Sequence, residues 1–180
     1  MADRVSVGIE LTFDPDTESR LRKLWQRMED AGVPTLARHT HRQHRPHVSV
    51  AVADWIDLAV VRDAVASVTP PPRIPVQLTS VGMFPGGVMW LGVVMTQELM
   101  DFHRAVHDQL HGVGVVSQAY YRPGRWTPHC TLAPFIGEEH VSRAFRVALA
   151  ELPLSGWLVG AWLARHTADA AEYHPMLTFP

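Results

Sequence analysis

The sequence is short of several things, and each shortage removes a class of protein. It has a single cysteine, Cys130, so no internal disulfide can form and a reducing compartment fits. It has no run of about 18 apolar residues, so a membrane-spanning helix is not expected. Met1-Ala2-Asp3-Arg4 places an acid early, and Val5, Val7, Ile9 and Leu11 then alternate with other residues. That is the pattern of a strand, not the continuous apolar core of a signal peptide, so the expected location is the cytoplasm. A large charge of one sign is lacking too. The formal net charge of -2 argues against coating a long nucleic-acid duplex by bulk electrostatics.

Acids are missing locally as well. Residues 31–53 contain no Asp or Glu but hold Arg38, Arg42 and Arg45, and residues 109–137 repeat the pattern with Arg122 and Arg125. A phosphate site excludes carboxylates because like charge in a partly dry cleft costs binding energy. Loops and strands that merely happen to have no acids would look the same. What remains is ordinary globular material: 180 residues, 47% hydrophobic and 19% charged, enough for one substantial core or two small lobes sharing one.

Periodicity predicts strands at Val5 to Phe13, His47 to Ala53, Ile74 to Val81, Val88 to Met95, Trp126 to Ala133, Gly156 to Arg165 and Tyr173 to Phe179. Helices are expected at about Asp16 to Ala31, Trp55 to Val68, Gln97 to His111 and Glu138 to Leu152. Pro70-Pro71-Pro72 separates two halves of similar layout, and Pro85-Gly86-Gly87 supplies a hairpin turn. Gly112-Val113-Gly114 follows a helix and lacks a third glycine, so it is not a dinucleotide-binding loop. The order favours a mixed α+β fold with antiparallel pairing, residues 1–180 forming one domain.

The informative feature is a hexapeptide that occurs twice, about half the chain apart. Pro46-His47-Val48-Ser49-Val50-Ala51 matches Pro128-His129-Cys130-Thr131-Leu132-Ala133 in its proline, histidine, hydroxyl residue, aliphatic residue and alanine. Side chains alternate along a strand, so His47 and Ser49 share one face, as do His129 and Thr131. Positions two apart are roughly 6.6 Å from each other, so an imidazole and a hydroxyl can reach one phosphate. Val48, Val50, Cys130 and Leu132 face the core, which makes Cys130 a packing residue and not a nucleophile. Among eleven histidines one His-x-Ser match means little, but the matched pair carries weight. A histidine pair can hold one neutral and one protonated ring near neutral pH, hence a general base and a general acid. Ser49 and Thr131 can donate to non-bridging phosphate oxygens.

At these residues the chain resembles the two-histidine (2H) phosphoesterase superfamily, also called the 2'-5' RNA ligase-like family. Its signature is two His-Φ-Ser/Thr-Φ motifs (Φ apolar), here His47-Val48-Ser49-Val50 and His129-Cys130-Thr131-Leu132. The resemblance implies a bilobal fold with a pseudo-twofold axis, two lobes of antiparallel strands with flanking helices, and a central cleft. It implies metal-independent chemistry, without a cofactor, on 2',3'-cyclic phosphates or related nucleotide phosphodiesters, with reversible 2'-5' RNA joining in some members. His47 and His129 would be the catalytic pair, and Ser49 and Thr131 the phosphate ligands. The expected partner is a nucleotide or an RNA terminus carrying a cyclic phosphate, with no long duplex and no membrane, handled by a monomer.

Further candidates surround the motifs. Arg45 either contacts phosphate at the cleft mouth or is a solvated loop residue. Arg122, Arg125, Tyr120 and Tyr121 offer charge and stacking surfaces, while Trp126 is either a base platform or part of the core. His39, His41, His44 and His47 are dense enough to suggest metal binding, but the segment has no acid or cysteine, and solvated loop histidines are the default. His103, His107 and His111 recur every four residues and read as a partly exposed helix face; His140, His166 and His174 carry no motif. The competing functions are a cyclic phosphodiesterase, a non-catalytic nucleotide-binding module of the same fold, and a metal-binding protein built on the histidine cluster.

Overall fold

The computed structural model describes residues 6–54, 57–167 and 169–180. The strands are β1 (Ser6–Phe13), β2 (His47–Asp54), β3 (Ile74–Phe84), β4 (Val88–Val93), β5 (His129–Ala133), β6 (Leu154–His166) and β7 (Ala171–Thr178). The helices are α1 (Pro15–Asp30), α2 (Leu58–Ala66), α3 (Gln97–Gly112) and α4 (Glu138–Leu149). All seven strands join one antiparallel sheet in the order β2-β1-β6-β3-β4-β5, with β7 on β6. The α+β class with antiparallel pairing is therefore observed.

β6 is the hinge line of this sheet. Leu154 to Leu158 pair with β3, whereas Gly160 to His166 pair with β7, and β1 lies along the opposite edge from Leu158 onward. Two half-sheets, β2-β1-β6-β7 and β6-β3-β4-β5, thus share one strand. The ends of the path, β2 and β5, come back into contact, though no ladder joins them among the described residues. These two strands carry the repeated hexapeptide.

The period-two pattern decides which side is buried. Ile9, Leu11 and Phe13 of β1, Val48 and Val50 of β2, Met89 and Leu91 of β4, and Cys130 and Leu132 of β5 are buried against the helices. The helices begin where the sequence provides caps. Asp14 Oδ1 accepts from the N–H groups of Asp16 and Thr17 at 3.1 Å, with Pro15 in the first turn of α1. Thr96 Oγ1 accepts from Leu99 N–H at the start of α3. Leu21, Leu24, Trp25 and Met28 form the buried stripe of α1, and Gly32, with φ of +78°, turns the chain away after it.

Several boundaries differ from expectation. β5 starts at His129 rather than Trp126, because Pro128 has no N–H for a ladder and Trp126 is committed elsewhere. α4 stops at Leu149, ahead of Pro153, and α2 spans Leu58–Ala66; Trp55 and Ile56, expected at its start, lie outside the described residues, as does Val5. β3 runs three residues beyond Val81, to Phe84.

Candidate active site

The two histidines of the hexapeptides hold the same posture. His47 Nδ1 lies 2.7 Å from the Arg45 carbonyl, and His129 Nδ1 lies 2.7 Å from the Thr127 carbonyl, each two residues back. A carbonyl only accepts, so each Nδ1 carries the proton and each Nε2 is left for chemistry. The proline between carbonyl and histidine fixes the local bend. Both rings are partly accessible. β2 and β5 are near enough for the rings to interact. The charge of His47 disfavours protonation of His129, and the indole N–H of Trp126, just before β5, donates to the Ser49 carbonyl at 3.0 Å. Ser49 is buried and Thr131 half-buried on the same strands, at the positions the alternation requires.

The surroundings of the two motifs are not alike. Across β1, Ser49 faces Glu10 and His47 faces Thr12; across β4, Thr131 faces Trp90 and His129 faces Gly92. One motif thus has a carboxylate where the other has an indole. Glu10 is only 3% exposed, with its Oε1 3.5 Å from His47 Nε2 and 2.9 Å from His166 Nε2. His129 is instead walled by Phe84, edge-on at 4.9 Å between ring centroids, and by Trp90 at 5.9 Å. The Trp90 indole lies over Gly82, where any Cβ would collide with it. Burial lowers the pKa of His129, the bond to Thr127 opposes this, and the charge of His47 lowers it further.

Glu10 and His166 had no place in the motif reading. Glu10 is the one acid in an otherwise alternating apolar strand, a signal that its face is not ordinary surface. His166 sits at the end of β6 with no local pattern around it.

A cavity of about 410 Å³ opens beside His129 and Thr131, lined also by Phe84, Tyr120, Tyr121 and Arg125. Its loop is tied to β2: Gln118 N–H donates to the Val52 carbonyl at 2.7 Å, and Ser117 Oγ accepts from Val52 N–H at 3.0 Å, while Arg122 Nε braces the loop on the Ser117 carbonyl at 2.7 Å. Tyr120 is 82% exposed at the rim, whereas the Tyr121 hydroxyl is pushed up in pKa by burial and by the charge of Glu10. A larger cavity, about 680 Å³, lies on the other flank, between α1 and the Thr12, Arg45 and Trp162 edge. Arg45 is held there, 4.7 Å over the Trp162 ring and 3.6 Å from Glu18, while also reaching the small recess of His47, Glu10 and Tyr173.

Other expectations need correction. Trp126 is not open to a base: it is buried, stacked on His103 at 4.1 Å and 4°, with its N–H spent on Ser49. The face of His103, His107 and His111 is partly exposed as expected, but His103 is its buried end, hydrogen-bonded to the Tyr121 carbonyl at 2.8 Å, and burial drives its pKa down to about 4. His107 bonds the Val50 carbonyl at 3.0 Å. His44 is not a solvated loop residue. Burial, then the charges of His166, His41, His47 and His39, lowers its pKa to about 3. Cys130 is a core residue, its thiol pushed up to about 12 by burial.

A single antiparallel sheet bringing two His-x-Ser/Thr strands together at its ends is the arrangement of the 2H phosphoesterase class. The chain belongs to the 2'-5' RNA ligase superfamily, whose family model matches residues 14–170. Its fold is similar to Escherichia coli LigT in apo form (TM-score 0.65, 14% identity, 97% of this chain and 95% of that one). It is also similar to TT0787 of Thermus thermophilus (TM-score 0.62, 12% identity, 95% and 97%). No curated protein matches the sequence. No helix among the described residues is long and apolar enough to cross a membrane.

Proposed function

We propose that the protein hydrolyses a 2',3'-cyclic phosphate, or a related cyclic phosphodiester, of a nucleotide or RNA end, with acid–base catalysis by His47 and His129 and no metal on the reacting phosphate. The observation that carries this reading is the shared posture: two Nδ1–H groups clamped on carbonyls at equal distance, two Nε2 atoms left for proton transfer. Binding alone needs no such pair. The low pKa of His129 suits it to the base, taking a proton from the attacking water. His47, beside Glu10, then donates its Nε2 proton to the departing ribose oxygen, and the buried carboxylate is the counter-ion of that imidazolium. Ser49 and Thr131 donate to the non-bridging oxygens as charge grows on them. Tyr121, Tyr120 and Arg125 would receive the base and sugar in the cavity beside His129, and Arg45 a flanking phosphate. Escherichia coli LigT has been crystallised with 3'-AMP and with NADP+, which supports a nucleotide as the ligand class. The protein would act as a cytoplasmic monomer, and 2'-5' joining would use the same two proton transfers with the 5'-hydroxyl of a second RNA end attacking the cyclic phosphate in place of water, the bond from phosphorus to O3' breaking and O3' taking the proton.

The test is turnover of 2',3'-cyclic nucleotides and of RNA ends bearing a cyclic phosphate, in the presence of chelator. His47→Ala and His129→Ala should each lose about 10²–10⁴-fold in kcat, the usual value of one positioned proton transfer. A double variant that still turns over would end the proposal; tight nucleotide binding with no turnover by the wild type would favour a binding module instead.

A further inference from the structure

The loop between α1 and β2 and the end of β6 bring together three imidazoles that the proposed chemistry does not use. We propose that His41, His44 and His166 form a binding site for one divalent transition-metal ion of the zinc type, distinct from the reacting phosphate. Their ligand nitrogens all lie within 4.8 Å of one another, and the ring centroids are 4.2 Å (His41–His44), 5.1 Å (His44–His166) and 5.6 Å (His41–His166) apart. Zinc–nitrogen bonds of about 2.0–2.1 Å in tetrahedral geometry put ligand nitrogens about 3.3–3.4 Å from each other. His166 Nδ1 and His41 Nε2 are 3.4 Å apart already. His44 Nδ1 is buried and has no hydrogen-bond partner, so a metal would satisfy an otherwise orphaned nitrogen.

The outer shell fits as well. His166 Nε2 lies 2.9 Å from Glu10 Oε1, so with Nδ1 turned to the trio the ring has the carboxylate–histidine–metal arrangement that fixes a ligand's tautomer and raises its basicity. One bond must be exchanged. His41 Nδ1 accepts from Gln43 N–H at 3.0 Å, and ligation through Nε2 puts a proton on Nδ1. That bond is on the exposed side of the loop, where water can replace it. Three imidazoles favour zinc, cobalt, nickel or copper over magnesium or calcium, and a water completes the fourth position. An ion there would pin the loop to β6 and, through His166, hold Glu10 in place.

The proposal does not rest on the phosphodiesterase reading, since its test reads metal directly. Chelator-treated protein titrated with Co2+ or Zn2+ should take up one equivalent, show with Co2+ the d–d absorption of a tetrahedral site, and gain about 5–10 °C in Tm at a hundredfold excess over Kd. His41→Ala, at a half-buried loop position, should weaken binding at least about tenfold with little change in its metal-free Tm, and His41→Ala with His44→Ala should abolish it. Absence of a tetrahedral cobalt spectrum, or equal uptake by either variant, would overturn the proposal.

Discussion

Glu10 sits where two otherwise similar strand pairs differ, and its partners are His47, one of the proposed pair, and His166, of the imidazole trio. His47 Nε2 lies within ion-pair reach of Glu10 at 3.5 Å, an attraction on the order of 1–4 kcal/mol at a partly buried site. Glu10→Gln should therefore lower kcat about tenfold or more while changing KM less than twofold, since the carboxylate touches His47 and not the substrate. Steady-state kinetics beside a melting curve would check this; equal losses in kcat and in folded protein would assign Glu10 to stability alone. The residues the sequence made legible are those in a local pattern: the two histidines and their hydroxyl neighbours needed only strand alternation. Glu10 and His166 were not legible in that way, because what gives them meaning is pairing between β1, β2 and β6, which no short window contains.

At the scale of the elements, α3 is attached to the site through histidine side chains. His103 and His107 bond the carbonyls of Tyr121 and Val50, so the helix, β2 and the cavity loop move as one piece. Protonation threatens this attachment. The folded His103 binds its proton only near pH 4, the unfolded one near 6.5, so between those values the unfolded chain carries more protons. Its contribution is complete above about pH 6.5 and is lost as pH falls toward 4, on the order of 3 kcal/mol. Urea denaturation at pH 7 and pH 4.5 should show this fall, to which His44 adds in the same direction, and His103→Gln should reduce it; an unchanged slope in the variant would exclude the residue as a source. Four-residue spacing placed His103, His107 and His111 on one helix face, and that face is partly exposed as expected, running from buried His103 through half-buried His107 to exposed His111. What the spacing could not show is that His103 and His107 are bonded, because their acceptors come from segments far away in the chain. The helices themselves were readable, since caps such as Asp14 and Thr96 and stripes such as Leu21 to Met28 are local facts.

For the molecule as a whole, β6 decides how stability is distributed. Leu158, fully buried, pairs with Phe13 of β1 and with Ile74 of β3, so neither half-sheet is complete without it. Unfolding should be a single transition, coincident by tryptophan fluorescence and far-ultraviolet circular dichroism, and Leu158→Ala should lower its free energy by about 2–5 kcal/mol without splitting it. Two resolved transitions would mean that the halves stand alone. The repeat and the Pro70-Pro71-Pro72 break foretold two similar halves; a strand common to both has no signature in a linear pattern.

The path of strands ends with β2 and β5 against each other but not zipped together. It is in effect an unfinished barrel, and the histidines stand at the first residue of each lip of the slit. Full closure would have removed the exposed strand edges that invite aggregation, yet it would also have left no doorway for a ligand. Each lip instead shields the other, and under the proposed function the slit left between them is where a phosphate would meet the two rings.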